Sequence, residues 1–174
     1  MNYPEFFDNT PKIVLKDDLA NELGTFKDGI VEFSYLDIVK CAGHSCPTVS
    51  GAFICTLVGL KALYSLEIPK RGEIKVELPE CVTEGVTGVL GAVIANITGA
   101  TTNYGFKGLN GNFKRTNLMF FDSNIDSNIR FTRIDNGKYV DVYYQPSNIK
   151  FTTNTWQGKV EEIFNNIEKV VKIL

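Results

Sequence analysis

The sequence lacks the features that announce most specialised classes. It has one histidine and one tryptophan in 174 residues. It has no basic excess: 18 Lys and Arg stand against 20 Asp and Glu, a net charge of −2. A surface built to neutralise phosphates needs the opposite balance, so dedicated nucleic-acid binding is not expected. The N-terminus, Met1-Asn2-Tyr3-Pro4-Glu5, has no basic segment leading into an apolar one, which argues against a secretory signal. The longest apolar stretch, near Ala52–Leu66, is broken by Cys55, Thr56, Lys61 and Ser65. It reads as too short and too polar for a bilayer span, and a cytoplasmic protein with no membrane partner is expected. There is no tandem repeat, no low-complexity tract and no interdomain linker. Gly85–Gly91 has no following Gly-Lys-Ser/Thr, so it is not a phosphate loop.

What is present fits one folded domain over residues 1–174. Apolar residues make up 44%, enough to bury a core without a disulfide or metal staple. Residues 1–28 read as a lead-in punctuated by Pro4 and Pro11, with a short helix over Lys16–Leu23. Gly29–Phe33 alternates as a strand. Ser34 and Asp37 form a capping-box signature for a helix through Lys40 that stops near Gly43. Pro47 suits a first helical turn, and Thr48–Leu66 is apolar on nearly every face, as in a buried helix. Glu73–Leu78 alternates strictly and ends at Pro79. Val86–Ile97 reads as a second buried helix, followed by a Gly- and Asn-rich loop over residues 99–117. Strands follow at Leu118–Phe121, Ile129–Ile134 and Tyr139–Tyr144, the last two joined by Asp135-Asn136-Gly137-Lys138, a hairpin turn. Trp156–Leu174 carries one apolar stripe and reads as a C-terminal helix. Strands and helices are segregated, so the expected class is α+β, a mostly antiparallel sheet packed with buried helices.

Chemistry concentrates at Cys41-Ala42-Gly43-His44-Ser45-Cys46-Pro47, which holds the single histidine and two of four cysteines. Thiolate and imidazole are the ligands that borderline metals prefer. His44 and Cys46, two residues apart in a turn, can reach one ion. Cys46 also stands at the entrance of a buried helix, where unpaired amides favour anionic sulfur. It is therefore a candidate ligand and a candidate nucleophile. Cys41 is a possible third ligand or a small core residue. Cys81 is a more distant ligand candidate, and Cys55 reads as core. Glu84 is a candidate oxygen ligand or general base, or a solvated turn carboxylate. Arg71, Arg130 and Arg133 are candidates for an anionic substrate, although Arg133 can instead pair across strands with Asp141. Lys107, Lys114 and Arg115 give the 99–117 loop the means to cradle an anion. Phe131, Tyr139, Tyr143 and Tyr144 can line a pocket or a dimer interface.

Gly43-His44-Ser45-Cys46-Pro47, with Gly51 on the following helix, resembles the Gly-His-x-Cys-Pro-Gly turn of the FmdE family. That family is named for the E subunit of molybdenum formylmethanofuran dehydrogenase. Ala92–Ile97 followed by Thr98-Gly99-Ala100-Thr101 is similar to a second family stretch. Order and spacing agree over roughly residues 30–145. Ala42–Thr48 is nearest to stand-alone members without a zinc-finger tail. Thr48 stands where the subunit-E pattern has glycine, and Val89, Ala92 and Ala100 fall where it has Cys, Asp and Cys. The resemblance implies an α+β core, usually a homodimer, with a metal or active site at His44 and Cys46. The expectation is a transition metal, Zn²⁺ foremost, and a small-molecule substrate. The alternative is a non-enzymatic accessory subunit or a metal- or sulfur-handling module.

Overall fold

A computed structural model describes residues 2–174. The lead-in is not irregular. After a 3-10 turn at Glu5–Asn9, β1 (Ile13–Lys16) forms and pairs antiparallel with β2 (Ile30–Phe33), Ile13 opposite Phe33 and Lys16 opposite Ile30. Ile13 and Leu15 point into the core while Val14 and Lys16 face out. Lys16 therefore belongs to a strand, and the helix expected from it begins later, as α1 (Asp18–Glu22). Asp17 caps it, its Oδ1 accepting the Ala20 amide at 3.1 Å. The pairing was not legible locally because β1 finds its partner only beyond α1.

Ser34 and Asp37 complete the capping box of α2 (Tyr35–Ala42), and Gly43, at φ +76°, ends it. Pro47 opens α3 (Pro47–Tyr64). This helix is long and apolar enough to cross a membrane by length and composition, so the sequence expectation was too strict; 67% of it is buried inside the fold. It stops at Tyr64, two residues short of expectation, because Ser65 turns to φ +54° and leaves Leu66 fully exposed.

The larger sheet has the order β4-β3-β5-β6-β7. Its strands are β3 (Ile74–Glu77), β4 (Met119–Phe120), β5 (Ile129–Arg133), β6 (Tyr139–Tyr144) and β7 (Val171–Ile173). β3 and β4 run parallel and the other neighbours antiparallel, which gives the expected mixed α+β, mostly antiparallel fold. α4 (Thr87–Thr98) packs beside α3. Two glycines let α3 approach the sheet: a Cβ on Gly51 would meet the Tyr144 ring at 2.5 Å, and one on Gly59 the Phe131 ring at 2.7 Å.

The single C-terminal helix expected over residues 155–174 is instead three elements: α5 (Trp156–Phe164), α6 (Ile167–Val170) and β7. Asn165 and Asn166 interrupt the helix, and the Asn166 side-chain amide donates to the Glu162 carbonyl at 2.8 Å. The apolar stripe is nonetheless real. Val160, Ile163, Val170 and Val171 are all buried. The β-branched end simply satisfies its backbone on the open edge of β6, Val171 opposite Tyr144.

Candidate functional site

α2 and α3 are joined by Gly43 and three further residues, His44, Ser45 and Cys46, so these side chains project from a tight inter-helix turn. His44 is exposed, and its Nδ1 lies 3.1 Å from the Ala42 carbonyl. A carbonyl only accepts, so Nδ1 is the donor in this contact, and in the neutral ring Nε2 carries the lone pair. Ser45 anchors the turn from two directions. Its hydroxyl is 2.9 Å from the Tyr35 hydroxyl, and its carbonyl accepts from Gln157 Nε2 of α5 at 3.1 Å. The Gln157 Oε1 is buried without a partner among the described residues. Cys46 is half-buried at the N-cap position of α3, in extended conformation, and no side chain caps that helix start.

Two phenols stand near this sulfur. Burial pushes Tyr35 up to about 12, despite the Ser45 hydrogen bond. Burial likewise raises Tyr144, helped by the neighbouring Cys55 and Cys46 thiols. Both rings therefore stay protonated, and the Tyr144 hydroxyl donates to the Pro47 carbonyl at 3.1 Å.

A cavity of about 340 Å³ opens directly beyond the turn. Pro47 and Thr48 of α3, Leu78–Glu80 after β3, Val86, Thr87 and Leu90 around the start of α4, and Asn128, Ile129 and Tyr144 from the sheet contribute to its wall. α3 and α4 both begin at this cavity. Cys55 lies in its wall, fully buried, and burial strongly raises its thiol, so it packs rather than reacts.

The other sequence candidates lie elsewhere. Cys41 is exposed at the end of α2. Cys81 has its sulfur 3.4 Å from the Thr83 hydroxyl. Glu84 is exposed on the turn into α4, its amide bonded to the Cys81 carbonyl. Among the described residues no three His, Cys, Asp or Glu side chains gather as a metal site. Neither Cys41 nor Cys81 joins His44 and Cys46 in a set of three.

The basic candidates occupy the far end of α4. Arg71 donates to the Ile97 and Asn96 carbonyls at 2.9 and 3.0 Å and to Asp17 at 2.9 Å. Arg115, buried, donates to the other Asp17 oxygen at 2.6 Å. Nine residues of helix, roughly 14 Å, separate Asn96 from Thr87 at the cavity. Arg71 and Arg115 therefore serve an internal cluster and do not line the cavity. Lys107 and Lys114 are exposed on the 99–117 loop. Arg133 is not the partner of Asp141: it pairs with Glu67 and Asp135, while Arg130 takes Asp141 through two bonds of 2.8 and 2.7 Å. The register decides this, since Arg130 lies opposite Asp141. The residues that sequence reasoning missed are Glu80, Thr87 and Asn128, which carry no local motif and meet only when β3, α4 and β5 assemble. No family model, no curated protein and no solved structure matches this chain.

Proposed function

We propose that this is an FmdE-like protein that acts on a small molecule at the Gly43–Pro47 turn, using a transition-metal ion, Zn²⁺ by donor chemistry, held by His44 Nε2 and Cys46 Sγ. The observation that carries this reading is the Nδ1 contact of His44 with the Ala42 carbonyl. Backbone anchoring of one ring nitrogen is how metal-binding histidines are oriented through the other. Two donors from this chain fall short of the three or four that zinc uses. The remaining positions fall to water, to substrate, or to a second copy of the chain, consistent with the homodimer that the resemblance implies. Such an ion would polarise a bound oxygen. The chain's own part is to orient His44, hold the turn through Ser45 and offer an apolar recess beside it. Glu84, on an exposed turn, is the candidate base.

The test is elemental analysis of protein purified without a metal-binding tag, alongside His44→Ala and Cys46→Ala. Stoichiometric metal in the wild type, lost in both variants, is the expected result. A metal-free wild type prepared under reducing conditions defeats it.

One observation favours a second reading, metal-free thiol chemistry: no third donor gathers near the pair. Cys46 would then be the nucleophile and His44 Nε2 its base. In that case Cys46 alkylates selectively at neutral pH and His44→Ala slows it. Alkylation no faster than that of a free cysteine excludes it.

A further inference from the structure

The cavity wall has an uneven polar inventory. Glu80 is the one charged residue lining it, and no Lys, Arg or His does so among the described residues. One Glu80 oxygen accepts the Thr87 hydroxyl at 2.8 Å, which fixes the carboxylate at the rim and leaves its other oxygen free. Tyr144 spends its proton on the Pro47 carbonyl, so it presents only lone pairs. Asn128 uses its carbonyl oxygen on the Tyr144 amide at 2.8 Å. The rest is apolar: Pro79, Val86, Leu90 and Pro146 offer accessible carbon, and Leu78, Ile129 and Cys55 are fully buried in the wall.

From this inventory we infer that the cavity binds a small cationic amine with an apolar body, its ammonium on Glu80 and its carbon chain against Val86, Leu90 and Pro146. A carboxylate or phosphate would meet a fixed negative charge with no Lys, Arg or His to offset it, and the Glu80 carboxylate already accepts from Thr87 at the start of α4. An ammonium finds the Glu80 carboxylate and the Tyr144 hydroxyl oxygen among the lining residues. The volume is at the small end for ligand pockets, which suits a compact molecule. The inference departs from the anionic substrate expected from Arg71, Lys107 and Arg115, none of which lines this space. That the amine is a substrate rests on the chemistry proposed at His44 and Cys46; its binding does not.

The test is titration of the full chain, followed by amide NMR shifts, with three six-carbon probes: n-hexylamine, n-hexanol and n-hexanoate. Hexylamine should give saturable shifts at Thr87, Leu90 and Ile129 and bind at least tenfold more tightly than hexanoate. Glu80→Gln, at an exposed rim position where the amide oxygen can still accept from Thr87, should weaken hexylamine at least tenfold and leave hexanol unchanged. Cys46→Ala should bind hexylamine like the wild type, so cavity binding and chemistry at the turn are scored separately. Equal or tighter binding of hexanoate, no saturable shift with hexylamine, or indifference to Glu80→Gln would overturn the assignment.

Discussion

Asp17 holds two guanidiniums at once, with Arg115 buried beside it. Burial pushes its carboxyl up, but the Arg71 hydrogen bond, the Ala20 amide and the charges of Arg115 and Arg71 outweigh burial and hold it below the ordinary value. A carboxyl lowered in the folded state stabilises above its unfolded value, about 3.9, and that contribution is lost as pH falls through the folded one. Urea midpoints should therefore drop between about pH 5 and pH 2, and less so in Asp17→Asn. At neutral pH that variant leaves Arg115 buried without a counter-charge and should cost about 3 kcal/mol, read by urea denaturation. Cys55 offers a second test at this scale. It is fully buried and its thiol is raised by burial. Mass spectrometry after native alkylation of chelator-treated protein should find Cys41, Cys46 and Cys81 labelled and Cys55 untouched until the chain is unfolded.

Among the elements, α3 depends on its glycines more than on helix propensity. Gly59→Ala gains up to about 1 kcal/mol in propensity. Its new methyl meets Phe131 at 2.7 Å and Val142 at 3.0 Å, an overpacking that costs about 1–3 kcal/mol. Net destabilisation in urea is expected. At the other kind of helix start, Ser34→Ala removes the acceptor for the Asp37 amide and should cost about 1 kcal/mol. These starts were legible because they are local: Ser34 with Asp37, Pro47 at a first turn, Asp135–Lys138 between two alternating runs. β1 and β7 were not. Each is stabilised by a neighbour distant in sequence, β2 across α1 and β6 across α5 and α6. A stripe such as Val160, Ile163, Val170 and Val171 records burial and not the backbone path that achieves it. For the site, the His44 and Cys46 pair was legible as adjacent residues. Glu80, Thr87 and Asn128 were not, since their meeting depends on three elements.

Across the whole molecule, α3 and α4 start at one end, with the turn and the cavity, and the Asp17 cluster closes the other. That polarity is why Arg71 and Arg115 lie far from the turn: residue type was visible, but not which end of α4 each would reach. Light scattering on the full chain tests the dimer proposed to complete the His44–Cys46 pair; a monomer at micromolar concentration that still retains metal would remove that need. The sheet order also sets a timetable. β5 and β6 close through a short turn, whereas β3 pairs with β5 across more than fifty residues. The hairpin can form in microseconds, but the β3 pairing must first meet the entropy of closing a long loop. The cavity takes walls from the end of β3 and the start of β5, so it exists only after this late step. A bound amine should therefore leave the refolding limb of a chevron where it is and slow only the unfolding limb, making occupancy a brake on the loss of the native state.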